Sequence, residues 1–350
     1  LTHPRASPTL RDSLRAARAR AGKDLVASSV TVVVLNWNRP DDTLACLASL
    51  EQVRYTPLEV VVVDNASADD SVVRIAAAYP RVHLIRNDAN LGFAEGNNVG
   101  IRHALRTGAD YVMLLNNDTV IHPDCVAALV AAAQAHPESG FLGAKIYYHA
   151  DPARIWMGKP IWDARTCRFE HVGINLNDEE AGLTQTSEAS YACGCALMAT
   201  RRALETAGLM DPRFFCYFEE IDWCFRAAAQ GYRSLYVPDA KVWHKVSQST
   251  GGGQSPLVCY FRARNRLLWA ERHLTARQRW RVLMDSTRAA HAGLGWRERG
   301  LTATFRRAYW NLLVMWRDAA LCAWRHGIRD YALRRFGNAP AAIRNAPRVR

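Results

Sequence analysis

Apolar and polar positions follow a regular alternation over residues 30–136. "VTVVVLN" (30–36) and "LEVVVVDNAS" (58–67) are β-branched runs of buried-strand length that turn polar only at their ends. Each precedes a helical pattern, "RPDDTLACLASLEQ" and "DDSVVRIAAAY", with aspartates suited to the first turn. A shorter strand, "RVHLIRN" (81–87), leads into "GFAEGNNVGIRHAL", a helix with small residues along one side. "DYVMLLNND" (110–118) is a fourth strand and "PDCVAALVAAAQAH" (123–136) the helix after it. Continuous apolar strands separated by helices predict an α/β fold with a mostly parallel sheet covered on both faces. Ligands in such sheets bind beyond the carboxyl ends of the strands, where Asn36, Asp64, Asn87 and Asp118 fall.

After about residue 140 the alternation weakens. "FLGAKIYY" reads as a strand, 150–190 as irregular and polar, and "SYACGCALMAT" as an apolar run leading into "RRALETAG". "FEEIDWCFRAAAQG" (218–231) is a helix ended by Gly231. "YRSLYVPDAKVWH" supplies one or two short strands, and "SQSTGGGQSP" (247–256) a flexible loop by composition. The expected organisation is a basic extension at 1–28, a main domain at 29–256 and an Arg/Trp-rich helical region at 257–350.

Composition places the chain among globular proteins: 350 residues, 49% hydrophobic and 22% charged. The net charge of +12 sits at the C-terminal end, where residues 256–350 carry 20 arginines, no lysine and 5 acidic residues. The rest of the chain is slightly acidic. Such a segment suits a polyanionic surface or a solvated helical face. Trp269, Trp280, Trp296, Trp310, Trp316 and Trp324, interleaved with arginine, fit either a helix at a lipid interface or helix-on-helix packing, including an oligomer. The 9 scattered cysteines, several inside apolar patterns, read as free thiols of a reducing cytoplasm and not as a disulfide framework or zinc site. No uncharged apolar run approaches the roughly 20 residues of a membrane helix. The start at Leu1 reads as a trimmed chain or part of a longer protein.

Four strand-end features carry candidate chemistry. Asp64 closes the second strand, as a ligand or as a turn aspartate. "NLGFAEGNNVG" (90–100) allows close backbone approach to a ligand or to the sheet, without the dinucleotide-binding glycine spacing. Asn116, Asn117 and Asp118 end the fourth strand, an oxygen-rich set suited to Mg²⁺ or Mn²⁺ and its phosphate partners. Glu219, Glu220 and Asp222 stand among aromatics, where burial raises a carboxylate's pKa and suits it to proton abstraction; the same acids also favour a helix N-terminus. His244 ends a short apolar segment as a core, loop or ligand histidine.

In this order the motifs "VVVLNWNRPDDTLACLASL", "VVVDNASADDS", "NLGFAEGNNVGIRHAL", "LLNNDTVIHPD", "FFCYFEEIDWCFRAAAQGY" and "HKVSQST…YFRARNRLLW" resemble the family 2 glycosyltransferases, especially bacterial rhamnosyltransferase-like members. The resemblance spans about Val30 to Leu268. It implies a GT-A-type fold with a C-terminal helical extension, and inverting transfer of a hexose or rhamnose, from dTDP-rhamnose or a UDP-sugar, to a hydroxyl of a cell-envelope or polysaccharide acceptor. It places Asn36, Trp37, Asn38, Asp64, Asn65, Asn90, Gly92, Asn97, Asn116 and Asn117 at the nucleotide-sugar donor. Asp118 and His244 would hold Mg²⁺ or Mn²⁺; Glu220 would be the base, with Glu219 and Asp222 as alternatives. The implied partners are the donor and a glycan or lipid-linked acceptor, with an anionic membrane surface and a homo-oligomer through the C-terminal helices as further candidates. The expected location is the cytoplasm, including the inner face of the cell membrane, and nucleic acid is not expected. A nucleotidyltransferase on a similar fold, or a nucleic-acid- or anionic-surface-binding protein, is the alternative.

Overall fold

A computed structural model of the chain describes residues 27–246, 255–289 and 318–346. The basic extension up to 26, most of the glycine-rich loop, and Trp296, Trp310 and Trp316 lie outside the described residues.

The first four strands are those the sequence announces: β1 (Val30–Asn36), β2 (Leu58–Asp64), β3 (His83–Arg86) and β4 (Tyr111–Asn116). They pair in parallel in the order β4-β1-β2-β3. Helices α1 (Pro40–Leu50), α2 (Ser71–Ala78), α3 (Gly92–Thr107) and α4 (Cys125–Ala135) connect or follow them. Residues alternate between two cores, as a strand period of two requires. Val33, Val61, Val63 and Leu114 face the side of α3, whereas Val32, Val34, Val62, Met113 and Leu115 face α1 and α4. Gly100 lets α3 lie directly on β1, since a Cβ there would come within 2.4 Å of Val33.

Beyond β4 the sheet becomes mixed. Strand β11 (Ala196–Thr200) runs antiparallel to both β4 and β6 (Ser139–Tyr148), so the purely parallel pattern stops at β4. "YRSLYVPDAKVWH" forms one long strand, β12 (Arg233–His244), with a bulge between Val237 and Lys241 that absorbs Pro238. The stretch 150–190 is more regular than its polarity suggests. It holds β7 (Ile155–Met157), a hairpin of β8 (Lys159–Asp163) and β9 (Arg168–Val172), the short helix α5 (Asp178–Ala181) and β10 (Ser187–Ala189). Trp162 and Phe169 anchor the hairpin by packing on Trp269, at centroid distances of 4.8 and 5.1 Å.

Helix α6 (Arg201–Ala207) follows β11, and α7 (Glu219–Ala228) precedes β12. Four further helices among the described residues are α8 (Pro256–His273), α9 (Ala276–Ala289), α10 (Ala319–Ala332) and the short α11 (Ala341–Arg344). Trp269 is completely buried and belongs to the same core as Val33 and Leu114. Of the other described C-terminal tryptophans, Trp324 is half-buried and donates to Ser286 O at 2.9 Å, whereas Trp280 is 62% exposed. No helix among the described residues is long and apolar enough to cross a membrane.

Candidate active site

Strands β1 and β2 end in register, which places Asn36 opposite Asp64. Asn36 donates to Asp64 Oδ1 at 2.8 Å and to Ser67 Oγ at 3.0 Å, and accepts from Thr43 Oγ1 at 2.6 Å. Ser67 donates to Asp64 Oδ1 through its hydroxyl at 2.6 Å and to Oδ2 through its amide at 3.0 Å. The amide of Asn38 donates to the Ser67 hydroxyl at 2.7 Å, and Asn117 Nδ2 donates to Thr43 Oγ1 at 2.9 Å. One buried network thus ties the ends of β1, β2 and β4 together. Trp37 stands out from it, 44% exposed.

Other amides expected at the donor are spent on the protein itself. Asn65 accepts from Asn87 Nδ2 and the Leu91 amide and donates to Asn90 Oδ1 and Gly92 O, which fills both donors and both lone pairs. Asn90 Oδ1 also receives the Gly92 amide, and Asn97 donates back to Phe93 O. Asn65 and Asn90 therefore shape the loop before α3, and Asn97 bonds within the first turns of α3 itself. Gly92 has φ +78, and a Cβ there would come within 2.6 Å of Phe215 O. That carbonyl accepts from the Phe93 and Ala94 amides, at 2.6 and 3.1 Å, at the start of α3.

Asp118 follows β4, just before β5 (Thr119–Ile121), and β5 pairs antiparallel with the end of β12 so that Thr119 faces His244. The Lys245 amide continues the ladder onto Asp118 O at 2.9 Å. This short ladder brings together two residues far apart in sequence: His244 Nε2 lies 3.1 Å from Asp118 Oδ1. Both residues are 6% exposed, and Asp118 Oδ1 and His244 Nδ1 are buried without a hydrogen-bond partner. A carboxylate oxygen left unsatisfied beside an imidazole fits a divalent cation with N/O preference. Among the described residues no third His, Cys, Asp or Glu joins them, so the rest of a coordination shell would come from ligand and water oxygens. Trp156 packs edge-on to His244 at 4.5 Å, and Lys245 Nζ pairs with Asp42 at 2.8 Å.

The acidic cluster separates into distinct roles. Asp222 is fully buried, with Oδ2 accepting from Arg226 at 2.9 Å and Oδ1 held by His273 at 2.8 Å and Arg272 at 3.2 Å. With both oxygens committed, Asp222 braces α7 against α8. Glu219 and Glu220 each keep a buried Oε2 with no partner. Burial raises the pKa of both; the neighbouring Glu220 charge raises Glu219 further, while backbone N–H groups, including that of Gly194, oppose the rise at Glu220.

The turn Cys193–Gly194–Cys195 lies between Glu220 and the strand end that leads into Asp118. On one side the Glu220 Cβ lies 3.6 Å from where a Gly194 Cβ would be. On the other, Cys195 O accepts from the Asn116 amide at 2.9 Å, and burial with nearby charges including Asp118 raises the Cys195 thiol. Sequence reasoning assigned no role to this turn, to Ser67 and Thr43, or to Arg264 and Asn265. The last two lie in the motif "YFRARNRLLW", and their signal is a charged and an amide residue among the otherwise apolar buried positions of α8.

Known proteins share this chain's sequence pattern and fold. Residues 31–208, just over half the chain, match the model of glycosyl transferase family 2. An N-acetylglucosaminyl-diphospho-decaprenol L-rhamnosyltransferase of Mycobacterium tuberculosis is 27% identical over 251 residues, 65% of this chain and 79% of that protein. Among solved structures, the mannosyltransferase PcManGT of Pyrobaculum calidifontis, in complex with GDP-Man and Mn²⁺, superposes with a TM-score of 0.54 at 18% identity, covering 91% of this chain and 94% of that one. GalNAc-T7 with UDP, GalNAc and Mn²⁺ gives the same TM-score at 16% identity, covering 71% of this chain and 48% of that one. These two likenesses show the fold, a GT-A-like mixed sheet flanked by helices with a C-terminal helical extension.

Proposed function

Because this chain belongs to glycosyl transferase family 2, and is therefore an enzyme that moves a sugar from a nucleotide-diphosphate donor to an acceptor, we propose that it does so with inversion and with a divalent cation. The observation that carries this reading is the placement of Asp118–His244 and Glu220 on either side of the Gly194 turn. In this reading Asp64, held in place by the buried Asn36, receives the nucleoside, with the exposed Trp37 ring beside it. Asp118 and His244 hold Mg²⁺ or Mn²⁺, which when bound stabilises the negative charge that develops on the leaving diphosphate. Glu220 takes the proton from the acceptor hydroxyl as its oxygen attacks the anomeric carbon from the face opposite the nucleotide. A single displacement gives inverted configuration.

The M. tuberculosis relative, an L-rhamnosyltransferase named for N-acetylglucosaminyl-diphospho-decaprenol, supports rhamnose as the sugar and a lipid-linked hydroxyl as the acceptor; the donor in this reading is dTDP-rhamnose or a UDP-sugar, and a polysaccharide hydroxyl is the other acceptor. Attachment to the cytoplasmic face of a membrane is supported by Trp280, exposed between Arg277 and Arg281 on α9. Association of copies through the C-terminal helices would have to use residues other than the buried Trp269.

The test is product analysis with UDP-, dTDP- and GDP-sugars, Mg²⁺ or Mn²⁺, and a panel of hydroxyl acceptors. Release of nucleoside diphosphate with a product of inverted anomeric configuration supports the reading. Release of pyrophosphate from a nucleoside triphosphate, or retained configuration, overturns it. Sedimentation with anionic vesicles at low salt tests the membrane reading separately.

A further inference from the structure

The turn that delivers the acidic pair to the site is strained. Phe215, Tyr217 and Phe218 have φ values of 64, 70 and 74°, a left-handed conformation that bulky L-residues avoid. Such residues are costly and persist only where the surroundings over-determine them. The carbonyls of Phe214, Cys216 and Tyr217 converge on one point beneath the turn, where a buried acceptor without a donor is destabilising.

One amide meets all three. Asn265 Nδ2 donates to Phe214 O at 2.8 Å, Cys216 O at 2.8 Å and Tyr217 O at 2.7 Å, so two N–H groups serve three carbonyls. Its orientation is fixed from behind. Asn265 Oδ1 accepts from Arg264 Nε at 2.9 Å, and the same guanidinium donates to Phe214 O at 2.9 Å, Arg213 O at 3.2 Å and Gly337 O at 2.6 Å. Arg264 and Asn265 are both 0% exposed. Arg264 lies over the rings of Phe261 and Tyr260, and the Tyr260 hydroxyl donates to the buried Asp330 on α10 at 2.9 Å. A chain of contacts therefore runs from helix α10, through Arg264 and Asn265, to the carbonyl of Tyr217, two residues before Glu219.

We propose that Asn265 is a positioning residue for sugar transfer: its amide, oriented by Arg264, holds the strained Phe215–Phe218 turn and so sets the aim of Glu220 at the Gly194 turn. This rests on Glu220 being the base. Asn265 touches neither donor nor acceptor; it acts through the peptide planes of the turn. The same contacts give the described part of the C-terminal region a place in catalysis independent of any membrane or partner copy. Aspartate at this position would keep the shape and reverse the polarity, setting carboxylate oxygens against three carbonyl oxygens. Serine would leave one donor for three acceptors.

The experiment compares the full chain with Asn265→Asp, Asn265→Ser and Glu220→Gln, each assayed per folded molecule for kcat, donor KM, donor affinity and the acid limb of the kcat–pH profile. The expected result for Asn265→Asp is a fall in kcat of about 100-fold, the scale of a small misplacement of a reacting group. Donor KM and affinity should stay within about twofold. In Asn265→Ser the acid limb moves to lower pH, because a loosened turn hydrates Glu220. A lower melting temperature with kcat and the acid limb both unchanged overturns the proposal, since a purely structural residue would behave that way. Should Asn265→Asp fail to accumulate as folded protein, Asn265→Ser decides by the same two readouts. Full turnover by Glu220→Gln overturns the base assignment and this proposal with it, whereas an inactive Glu220→Gln beside an unaltered Asn265→Ser overturns the positioning role alone.

Discussion

His244 Nε2 lies 3.1 Å from Asp118 Oδ1, yet that oxygen is buried without a hydrogen-bond partner. The two groups are close enough for contact and misaligned for a hydrogen bond, as expected of ligands aimed at a common third point. Replacing Asp118 with asparagine keeps the volume and removes the charge. The expected outcome is a loss of at least about tenfold, or 1.4 kcal/mol, in Mn²⁺-dependent affinity for a nucleoside diphosphate. Titration calorimetry with and without a chelator measures it. Equal affinity of both proteins with metal present would remove Asp118 from the cation site.

Glu220 is raised above the usual carboxylate range by burial. A general base works only when deprotonated, so kcat should climb as pH rises through this elevated pKa, placing the acid limb above the ordinary carboxylate range. Glu220→Gln should lower kcat by about 10²–10⁴-fold with donor affinity intact. A pH-rate profile beside donor titration tests both parts. An acid limb at the ordinary position of an exposed carboxylate would contradict the assignment.

The legible parts of this fold are those where burial leaves a period. Strands β1, β2 and β4 are covered on both faces, so their apolar runs are unbroken, and a polar residue such as Asp64 or Asp118 marks the strand end. The hairpin β8–β9 is hidden because its anchors, Trp162 and Phe169, meet Trp269 from α8, about 100 residues away, and its other positions mix polar and apolar residues without a period. Asp118 could be found as a strand-end carboxylate, but the ladder that gives it His244 is the three-residue strand β5, too short to show a pattern. Asn65 illustrates an opposite limit. Its residue type suits a donor site, and only its four satisfied hydrogen bonds reveal a loop-shaping role. Arg264 and Asn265 stood in a quoted motif without a role, because their acceptors exist only once bulky Phe215, Tyr217 and Phe218 adopt a left-handed backbone that no local preference predicts.

Glu219 offers a stability prediction distinct from catalysis. Its carboxyl is buried, its pKa is raised well above the usual range by burial and by the neighbouring Glu220, and its Oε2 has no partner. A carboxyl whose pKa is higher in the folded chain binds its proton more tightly there, so its contribution is fully present below the unfolded pKa and is lost as pH rises through the folded one. Glu219→Gln, a neutral isostere, should therefore raise the melting temperature at pH 7–8, by about 2–4 °C for each kcal/mol recovered. The gain should shrink as the pH approaches 4. Thermal unfolding across pH measures this; an equal gain at both ends would show that ionisation is not its source.

Asp222 should respond in the opposite way. It holds Arg226, Arg272 and His273 together from a fully buried position, joining α7 to the end of α8. Removing one partner of a buried ion pair costs about 3–5 kcal/mol, and the partly exposed arginines place this case at about 3. Asp222→Asn should accordingly lower the melting temperature by about 6–12 °C, at about 2–4 °C per kcal/mol. The folded fraction should retain an acid limb set by Glu220, because the asparagine disturbs a brace and leaves the carboxyl at 220 in place. Calorimetry gives the stability, and kcat per folded molecule across pH separates the roles. A variant that keeps its melting temperature while losing turnover would return Asp222 to the reacting centre in place of Glu220.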